Sequence, residues 1–296
     1  MELPLVVGVD GSAPSLRAVD WAADEAALRG APLRLVNASL WERYEGVSPA
    51  GGADRPSEQV LVEDVVDSAT RRARDRRPGL EVSADVLPDD PVSVLLHEGH
   101  GACALVIGSR GRNGLVELLL GSVSLAVAAR ADCPVIVLRG GRESRAATGK
   151  HRRIVLGVGD GPHNSAPARF ALQEAQARGA ALDAVRAWRW PGREPTDQPP
   201  VEGEPARRHE RQAVEILEAA LGGPAADHPS VDLRLRAAEG PARGVLLAAA
   251  AEADLLVVGA ERHRGHVGLP VGRIARAVLH RSDCPVAVVP GRAETP

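Results

Sequence analysis

The sequence contains few aromatic residues, few cysteines and almost no lysine. Of 296 residues, 2% are aromatic, three are cysteines, and Lys150 is the only lysine. The net charge is -3, so the chain lacks the basic excess typical of nucleic-acid or membrane-surface proteins. It also lacks any apolar run close to the ~18 residues that a membrane-spanning helix needs. We therefore expect neither a nucleic-acid partner nor a membrane partner.

The start of the chain and its cysteines bear on the cellular compartment. The segment from Met1 to Asp10 has no basic stretch and no small-residue cleavage site, so it predicts a first strand rather than a signal peptide. The cysteines form an odd set without metal-ligand spacing. Because this usage fits a reducing compartment best, we expect a cytoplasmic protein.

What the chain does contain is an internal duplication. Two motifs of the first half recur in the second: Leu5-Val-Val-Gly8-Val9 as Ile154-Val-Leu-Gly157-Val158, and Asp132-Cys133-Pro134-Val135 as Asp283-Cys284-Pro285-Val286. A period of this size indicates duplicated domains rather than a solenoid of short repeats. The polar, small-residue segment between the halves is typical of a linker. The predicted boundaries are an N-terminal domain over 1–140, a linker over 141–151 and a C-terminal domain over 152–296.

Unbroken apolar runs alternate with helical patterns in each half. Such runs predict strands buried on both faces, and the alternation predicts a parallel sheet covered by helices. The predicted strands of the first half are 5–9, 33–38, 81–87, 104–107 and 135–138, and the predicted helices are 15–29, 57–77, 92–99 and 122–130. The predicted fold class is α/β, with two tandem open-sheet, mostly parallel five-stranded doubly wound domains. Ligands of such sheets bind beyond the carboxyl ends of the strands, where Asp10 and Gly108 lie.

A glycine-rich segment joins the fourth predicted strand to a helix. It runs Gly108-Ser-Arg-Gly111-Arg-Asn-Gly-Leu-Val-Glu-Leu-Leu-Leu-Gly121-Ser122, which is G-x2-G-x9-G followed by a hydroxyl residue. Glycine permits close approach of a ligand to the backbone, and a helix N-terminus offers unpaired N–H groups to an anion. The spacing differs from the P-loop and from the dinucleotide fingerprint. The alternative is a tight strand-to-helix connection with Ser122 as the helix N-cap.

These residues resemble the universal stress protein family. The G-x2-G-x9-G-Ser pattern, the opening Val6-Val-Gly-Val-Asp10-Gly-Ser12 and the Cys-Pro-Val strand all fit the family pattern. Because both halves are covered, the chain is similar to the tandem two-domain form found in actinobacteria. The resemblance implies a Rossmann-like, adenine nucleotide alpha hydrolase-like fold. It also implies that the two domains pack as a pseudo-dimer through their last strands.

The resemblance further implies ATP, with or without Mg²⁺, as a ligand of the N-terminal half. Gly8, Val9 and Asp10 would line the adenosine side, with Asp10 hydrogen-bonded to the nucleoside, and Ala38 would pack near adenine. The implied ribose and phosphate contacts are Gly108, Arg110, Gly111, Gly121, Ser122, Val123 and Ser124, with the two serine hydroxyls as additional donors. From the residues alone, Asp10 could equally be a turn or capping residue.

The C-terminal copy of the motif departs from this pattern. Three positions differ: Arg262 replaces Gly111, Arg273 replaces Ser122, and Gly159, followed by Asp160, replaces Asp10. A large side chain at position 262 would crowd a phosphate path that glycine leaves open, which predicts loss of binding. The alternative is that an arginine supplies a charged fork in place of backbone donors.

Other features point away from metal, nucleic-acid and covalent chemistry. The basic helix end within residues 71–77 predicts a solvated face, since the aromatics that nucleic-acid binding uses are missing. His97 with His100, and His263 with His266, lack a third ligand, so we expect no metal. The cysteine before proline in each half is predicted to be a packing residue. We find no nucleophile constellation and no acid pair for hydrolysis, and so predict no catalytic residues.

The sequence thus predicts an ATP-binding universal stress protein that acts as a nucleotide-dependent regulator or sensor in the stress response. Two alternatives stay open: a nucleotide-independent interaction scaffold, and a slow ATP-hydrolysing enzyme. Any ATPase activity is expected to be weak. The expected partners are an adenine nucleotide and a protein, either a second copy of the chain or another protein.

Overall fold

A computed structural model describes residues 2–39, 58–109, 120–139, 151–160, 164–189, 204–260 and 271–291. The chain divides into two compact units, Met1–Glu143 and Ser144–Pro296. In its described residues each unit has five strands and four helices. Within the same ranges, no helix is long and apolar enough to cross a membrane.

The N-terminal unit alternates strands with helices along the chain. Its elements are β1 (Leu5–Gly8), α1 (Ala13–Arg29), β2 (Leu33–Ala38), α2 (Glu58–Arg76), β3 (Val82–Leu87), α3 (Pro91–Gly99), β4 (Ala104–Gly108), α4 (Ser122–Arg130) and β5 (Val135–Leu138). The strands form a parallel sheet in the order β3-β2-β1-β4-β5. This arrangement confirms the predicted doubly wound α/β fold, and the element ends lie within two residues of the predicted ones.

The C-terminal unit repeats the same order of elements. They are β6 (Arg153–Gly157), α5 (Ser165–Arg178), β7 (Ala181–Trp188), α6 (Glu204–Ala226), β8 (Leu233–Glu239), α7 (Ala242–Ala250), β9 (Leu255–Ala260), α8 (Arg273–Arg281) and β10 (Val286–Pro290). Its parallel sheet has the order β10-β9-β6-β7-β8, so β6 and β9 correspond to β1 and β4. The two halves therefore fold alike, as the duplication predicts.

The central strands form the core of each sheet. In β1, β4 and β5 every apolar side chain is buried, because helices cover both faces of a parallel sheet. The edge strand β3 instead alternates between half-buried and exposed residues along its first part. Its greater exposure follows from its edge position, with β2 as its one neighbour in the described sheet of this unit.

Local capping defines where α1 begins and ends. The Ser12 side chain accepts a hydrogen bond from the Ser15 N–H at 3.3 Å, satisfying one of the unpaired N–H groups of the first turn. The helix ends at Gly30, whose φ of 68° is left-handed and favours glycine. Helix α3 begins in the same manner, with Asp90 accepting from Val92 and Ser93. Asp90 and Ser12 thus direct the chain into helices that cover the sheet.

The basic end of α2 forms ion pairs with α1. Arg72 contacts Asp20 at 2.6 Å, while Arg76 and Arg77 both contact Asp24, at 2.6 and 2.8 Å. The hydrogen bonds to Asp20 and Asp24 raise the pKa of Arg72 and Arg76, respectively. These arginines therefore hold α2 against α1 in addition to facing solvent, a role that the sequence pattern did not predict.

Candidate functional site

The candidate site of the N-terminal unit lies where the strand order reverses. β1 and β4 are neighbours in the sheet although two strands separate them in the chain. Helices α1 and α2 pack together, as do α3 and α4. In a doubly wound sheet such a reversal sends the two strand-end loops towards opposite faces and opens a ligand crevice between them. Gly8 and Gly108 end these two strands, and Ala38 ends the adjacent β2.

The loop after β1 is held by a short network of hydrogen bonds. The Val9 N–H continues the strand pairing by donating to the Val36 carbonyl at 2.9 Å. Asp10 follows, and its Oδ1 accepts from the Ser12 N–H at 3.0 Å, while its own N–H donates to the Ser15 hydroxyl at 3.4 Å. Asp10 therefore makes the turn that the alternative interpretation predicts. One carboxylate oxygen makes this turn, and the group lies half-buried at the strand end.

A second buried side chain, Asn37, supports the same loop. Its side-chain Nδ2 donates to the Val9 carbonyl at 2.7 Å, and the residue is 7% exposed. The contact crosses from β2 to the residue directly before Asp10. Sequence reasoning missed Asn37, because one amide at the end of an apolar strand belongs to no motif. The available signal was its polarity inside a buried run.

The two ends of the glycine-rich loop are tied together. The Ser109 N–H donates to the Leu138 carbonyl, and the Gly121 N–H donates to the Ser109 carbonyl, both at 2.7 Å. The Ser124 hydroxyl donates to the Gly108 carbonyl at 2.8 Å. The start of α4 is thus fixed directly beside the end of β4. Arg110 and Gly111, which the sequence also places in the site, lie outside the described residues.

Ser124 makes a contact that the sequence did not predict. Its hydroxyl was expected to donate to a phosphate oxygen, but in this structure the hydroxyl proton is used by the Gly108 carbonyl and the side chain is buried. The hydroxyl bond fixes the first turn of α4 to the end of β4. Ser122, two residues earlier, remains exposed, so its hydroxyl is accessible from solvent.

The N-terminus of α4 has no side-chain cap. Gly121 occupies the N-cap position and makes no side-chain hydrogen bond, whereas α1 and α3 are both capped. The first hydrogen bond of the helix runs from the Leu125 N–H to the Gly121 carbonyl, at 3.0 Å. The N–H groups of Ser122, Val123 and Ser124 therefore have no partner within the helix. Three such donors at a helix start favour an anion, with the helix dipole contributing about 0.3–1 kcal/mol.

Packing leaves little room for a side chain at the glycines that end β1 and β4. A Cβ on Gly108 would lie 2.8 Å from the backbone carbonyl carbon of Pro14 and 2.9 Å from its oxygen. A Cβ on Gly8 would lie 3.1 Å from a methyl carbon of Leu95. Gly108 thus lets the first turn of α1 approach the end of β4, which brings the two strand-end loops together.

The C-terminal unit replaces the Asn37 contact with an ion pair. Arg186 occupies the position on β7 that Asn37 has on β2, and its Nη1 donates to the Val158 carbonyl at 3.4 Å. Its Nη2 also donates to the carboxylate of Asp160. The Arg186 side chain is 10% exposed and that of Asp160 is 91% exposed. The loop carboxylate of this unit is therefore paired with a buried guanidinium.

The start of α8 repeats the geometry of α4 with a different side chain. Gly272 is an N-cap without a side-chain hydrogen bond, and Arg273 follows it as an exposed residue. Among the described atoms, a Cβ on Gly259, the counterpart of Gly108, would come within 4 Å of the Pro167 Cγ alone, at 3.3 Å. Arg262 lies outside the described residues. The second unit therefore keeps the uncapped helix start, while the side chains at positions 186 and 273 differ from those of the first unit.

The cysteines and histidines behave as buried or solvated groups rather than reactive ones. All three cysteines are free, and burial raises the pKa of Cys133 and of Cys284 to about 11, which keeps both thiols protonated at neutral pH. The ring centroids of His97 and His100 are 6.5 Å apart. Over the described ranges, no group of three residues could hold a metal ion. His263 and His266 lie outside those ranges.

This fold and site define a class: doubly wound α/β domains in which a glycine loop runs into an uncapped helix at the point where strand order reverses. Comparison with known proteins identifies the family. Residues 3–139 and residues 150–290 each match the universal stress protein family. The chain therefore belongs to the universal stress protein family and carries two copies of its domain.

The relatives are similar over nearly their full length. A universal stress protein of Mycobacterium tuberculosis strain H37Rv is 32% identical over 293 residues, which is 96% of each chain. A second universal stress protein of that strain is 30% identical over 304 residues, covering 97% of this chain and 94% of its own. A crystal structure of a universal stress protein from Archaeoglobus fulgidus covers 98% of both chains with a TM-score of 0.69 and 16% identity. The last likeness concerns the fold alone.

Proposed function

We propose that the N-terminal unit, over residues 1–140, binds ATP at the carboxyl ends of β1 and β4. The observation that carries the proposal is the uncapped start of α4, whose three N–H groups are held beside β4 by the tied loop ends. These donors suit phosphate oxygens, which accept hydrogen bonds and carry negative charge. Membership of the universal stress protein family supports the choice of an adenine nucleotide.

The described residues divide into an adenosine side and a phosphate side. Gly8, Val9 and Asp10 line the adenosine side, where the carboxylate accepts a hydrogen bond from a ribose hydroxyl, and Ala38 packs near the base. Gly121, Ser122, Val123 and Ser124 receive the phosphates through backbone N–H groups, with the exposed Ser122 hydroxyl as a further donor. Gly108 keeps the strand end clear. Arg110 and Gly111 complete the proposed set, and Mg²⁺ bound to the phosphates would neutralise part of their charge.

We propose that the bound nucleotide is a signal rather than a substrate of fast turnover. Hydrolysis needs a base or a metal-held water near the terminal phosphate. At the end of β1 the acidic residue is Asp10, whose Oδ1 makes the turn to Ser12, and beyond β3 Asp90 caps α3. The chain would then act as a nucleotide-dependent regulator or sensor in the stress response of the cytoplasm.

Titration calorimetry of the full chain with ATP tests the proposal. We expect ATP to bind, and Asp10→Ala to weaken binding about ten- to 150-fold, because a hydrogen bond to a charged group contributes about 1.5–3 kcal/mol. Asp160→Ala in the C-terminal unit is the matched control and should leave the affinity for ATP unchanged. Absence of ATP binding by the folded protein would overturn the proposal and favour the scaffold alternative.

A series of ligands separates the two sides of the site. ATP, ADP, AMP and adenosine share the base and ribose but lose one phosphate at each step. If the N–H groups of α4 hold phosphates, affinity falls along the series and falls further at high salt. Equal affinity for ATP and adenosine would exclude the α4 contact. Steady phosphate release that Asp10→Ala abolishes would favour the enzyme alternative.

A further inference from the structure

Position 37 of β2 holds a buried hydrogen-bond acceptor without a donor. Asn37 is 7% exposed, and no group in the described part of the chain donates to its Oδ1. Buried polar atoms are normally paired, because an unmet hydrogen bond costs free energy. The unpaired atom belongs to the amide that binds the Val9 carbonyl, so it lies beside the loop of Asp10, which the proposed function places on the adenosine side. It therefore suggests a donor that arrives with the ligand.

The orientation of the Asn37 amide follows from its other contact. Nδ2 donates to the Val9 carbonyl at 2.7 Å. A flipped amide would set its oxygen against that carbonyl oxygen, and two acceptors repel. The amide nitrogen therefore binds the loop that carries Asp10, and the amide oxygen is the atom without a partner in the described residues. At position 37, a ligand would therefore meet a hydrogen-bond acceptor, the Asn37 Oδ1.

The equivalent position of the C-terminal unit has the opposite polarity. Arg186 also donates to the carbonyl of its loop, at Val158, so both residues perform the same support. Arginine, however, has donors and no acceptor, and the Arg186 Nε is itself buried and unpaired in the described part of the chain. Within the described residues, this one repeated position thus carries a buried unpaired atom in both units, an acceptor in one and a donor in the other.

We propose that Asn37 selects the base: its Oδ1 accepts a hydrogen bond from the exocyclic amino group of a 6-aminopurine nucleotide. This inference rests on the proposed function. A 6-oxopurine would bring an oxygen to the same place and leave two acceptors facing each other. In the C-terminal unit, Arg186 has only N–H donors and a positive charge at this position, so it could not accept a hydrogen bond from the amino group. The position therefore gives the N-terminal unit its preference for an amino-bearing base.

The test compares ATP with inosine triphosphate, which differs by a 6-oxo group in place of the 6-amino group. By titration calorimetry we expect the natural chain to prefer ATP by about tenfold or more, because a site built for a hydrogen bond rejects the analogue that cannot make it. Asn37→Arg copies the residue of the other unit and keeps a donor for Val9. It should bring the ratio of the two affinities to one or below.

Asn37→Leu, of similar size and without polar atoms, is the second variant and should also abolish the preference. A purely structural role predicts that both nucleotides weaken together with their ratio unchanged, and that result, including joint loss beyond detection, would overturn the inference. Arg186→Asn is the matched control and should leave the ratio of the natural chain intact. If the natural chain binds neither nucleotide, the proposed function itself fails. If it binds both equally, only the role of Asn37 fails.

Discussion

Replacing Gly108 with alanine tests whether packing against α1 requires a glycine at the end of β4. The new Cβ would lie 2.8 Å from the Pro14 carbonyl carbon and 2.9 Å from its oxygen. Both atoms belong to the backbone of α1, so neither can rotate away as a flexible side chain would. Overpacking of this kind costs about 1–3 kcal/mol. Because 1 kcal/mol corresponds to about 2–4 °C in a unit of this size, we expect the Tm of the N-terminal unit to fall by about 2–12 °C.

Differential scanning calorimetry of the full chain measures this effect, with two variants for comparison. Gly101→Ala adds a methyl group where no described atom lies within 4 Å, and should leave the Tm nearly unchanged. Gly259→Ala repeats the change in the C-terminal unit, where the nearest atom is the Pro167 Cγ at 3.3 Å. Its effect should be smaller, since a ring carbon at that distance needs to move by only a few tenths of an ångström. A Tm for Gly108→Ala equal to that of Gly101→Ala would refute the steric argument.

Two further predictions concern buried polar groups. Asp24→Asn should lower the free energy of unfolding by about 1–2 kcal/mol in urea titrations, because the carboxylate is 5% exposed and joins Arg76 and Arg77; no loss would contradict this role. Burial raises the pKa of Cys133 and Cys284 from 9.0 to about 11, so stability should be full below pH 9 and fall towards pH 11. Iodoacetamide at pH 8 should modify both more slowly in folded than in urea-unfolded protein, and equal rates would contradict the burial.

The elements of the fold could be predicted because their signals are local. Helix α4 (Ser122–Arg130) and strand β5 (Val135–Leu138) have the bounds expected from the sequence. Apolar runs identify strands buried on both faces, and a glycine marks the end of α1 at position 30. Repetition of these signals in the second half made the order of strands and helices predictable for the whole chain.

The contacts that build the site could not be predicted in the same way, because they join residues distant in sequence. Gly108 approaches Pro14 across two strands and two helices of intervening chain. Asn37 reaches the carbonyl of Val9 from a neighbouring strand. The Ser124 hydroxyl was expected to face a ligand, yet it bonds the Gly108 carbonyl. In each case the residue type was compatible with several partners, and only the packing of the sheet selects one.

Comparison of the two units separates what the fold requires from what a ligand would require. Both units keep a glycine at the end of the fourth strand of the repeat, and in both a proline of the first helix packs against it. Both also start the following helix at an uncapped glycine. The contact of a proline with the strand-end glycine is a packing feature and would persist in a unit that binds nothing, whereas no described atom lies close enough to require a glycine at position 272. The strand-end glycines alone therefore do not distinguish a nucleotide site from a tight connection. The distinction rests on positions where the units differ, above all Asn37 against Arg186, and variants there discriminate between the two interpretations more sharply than changes to the glycines.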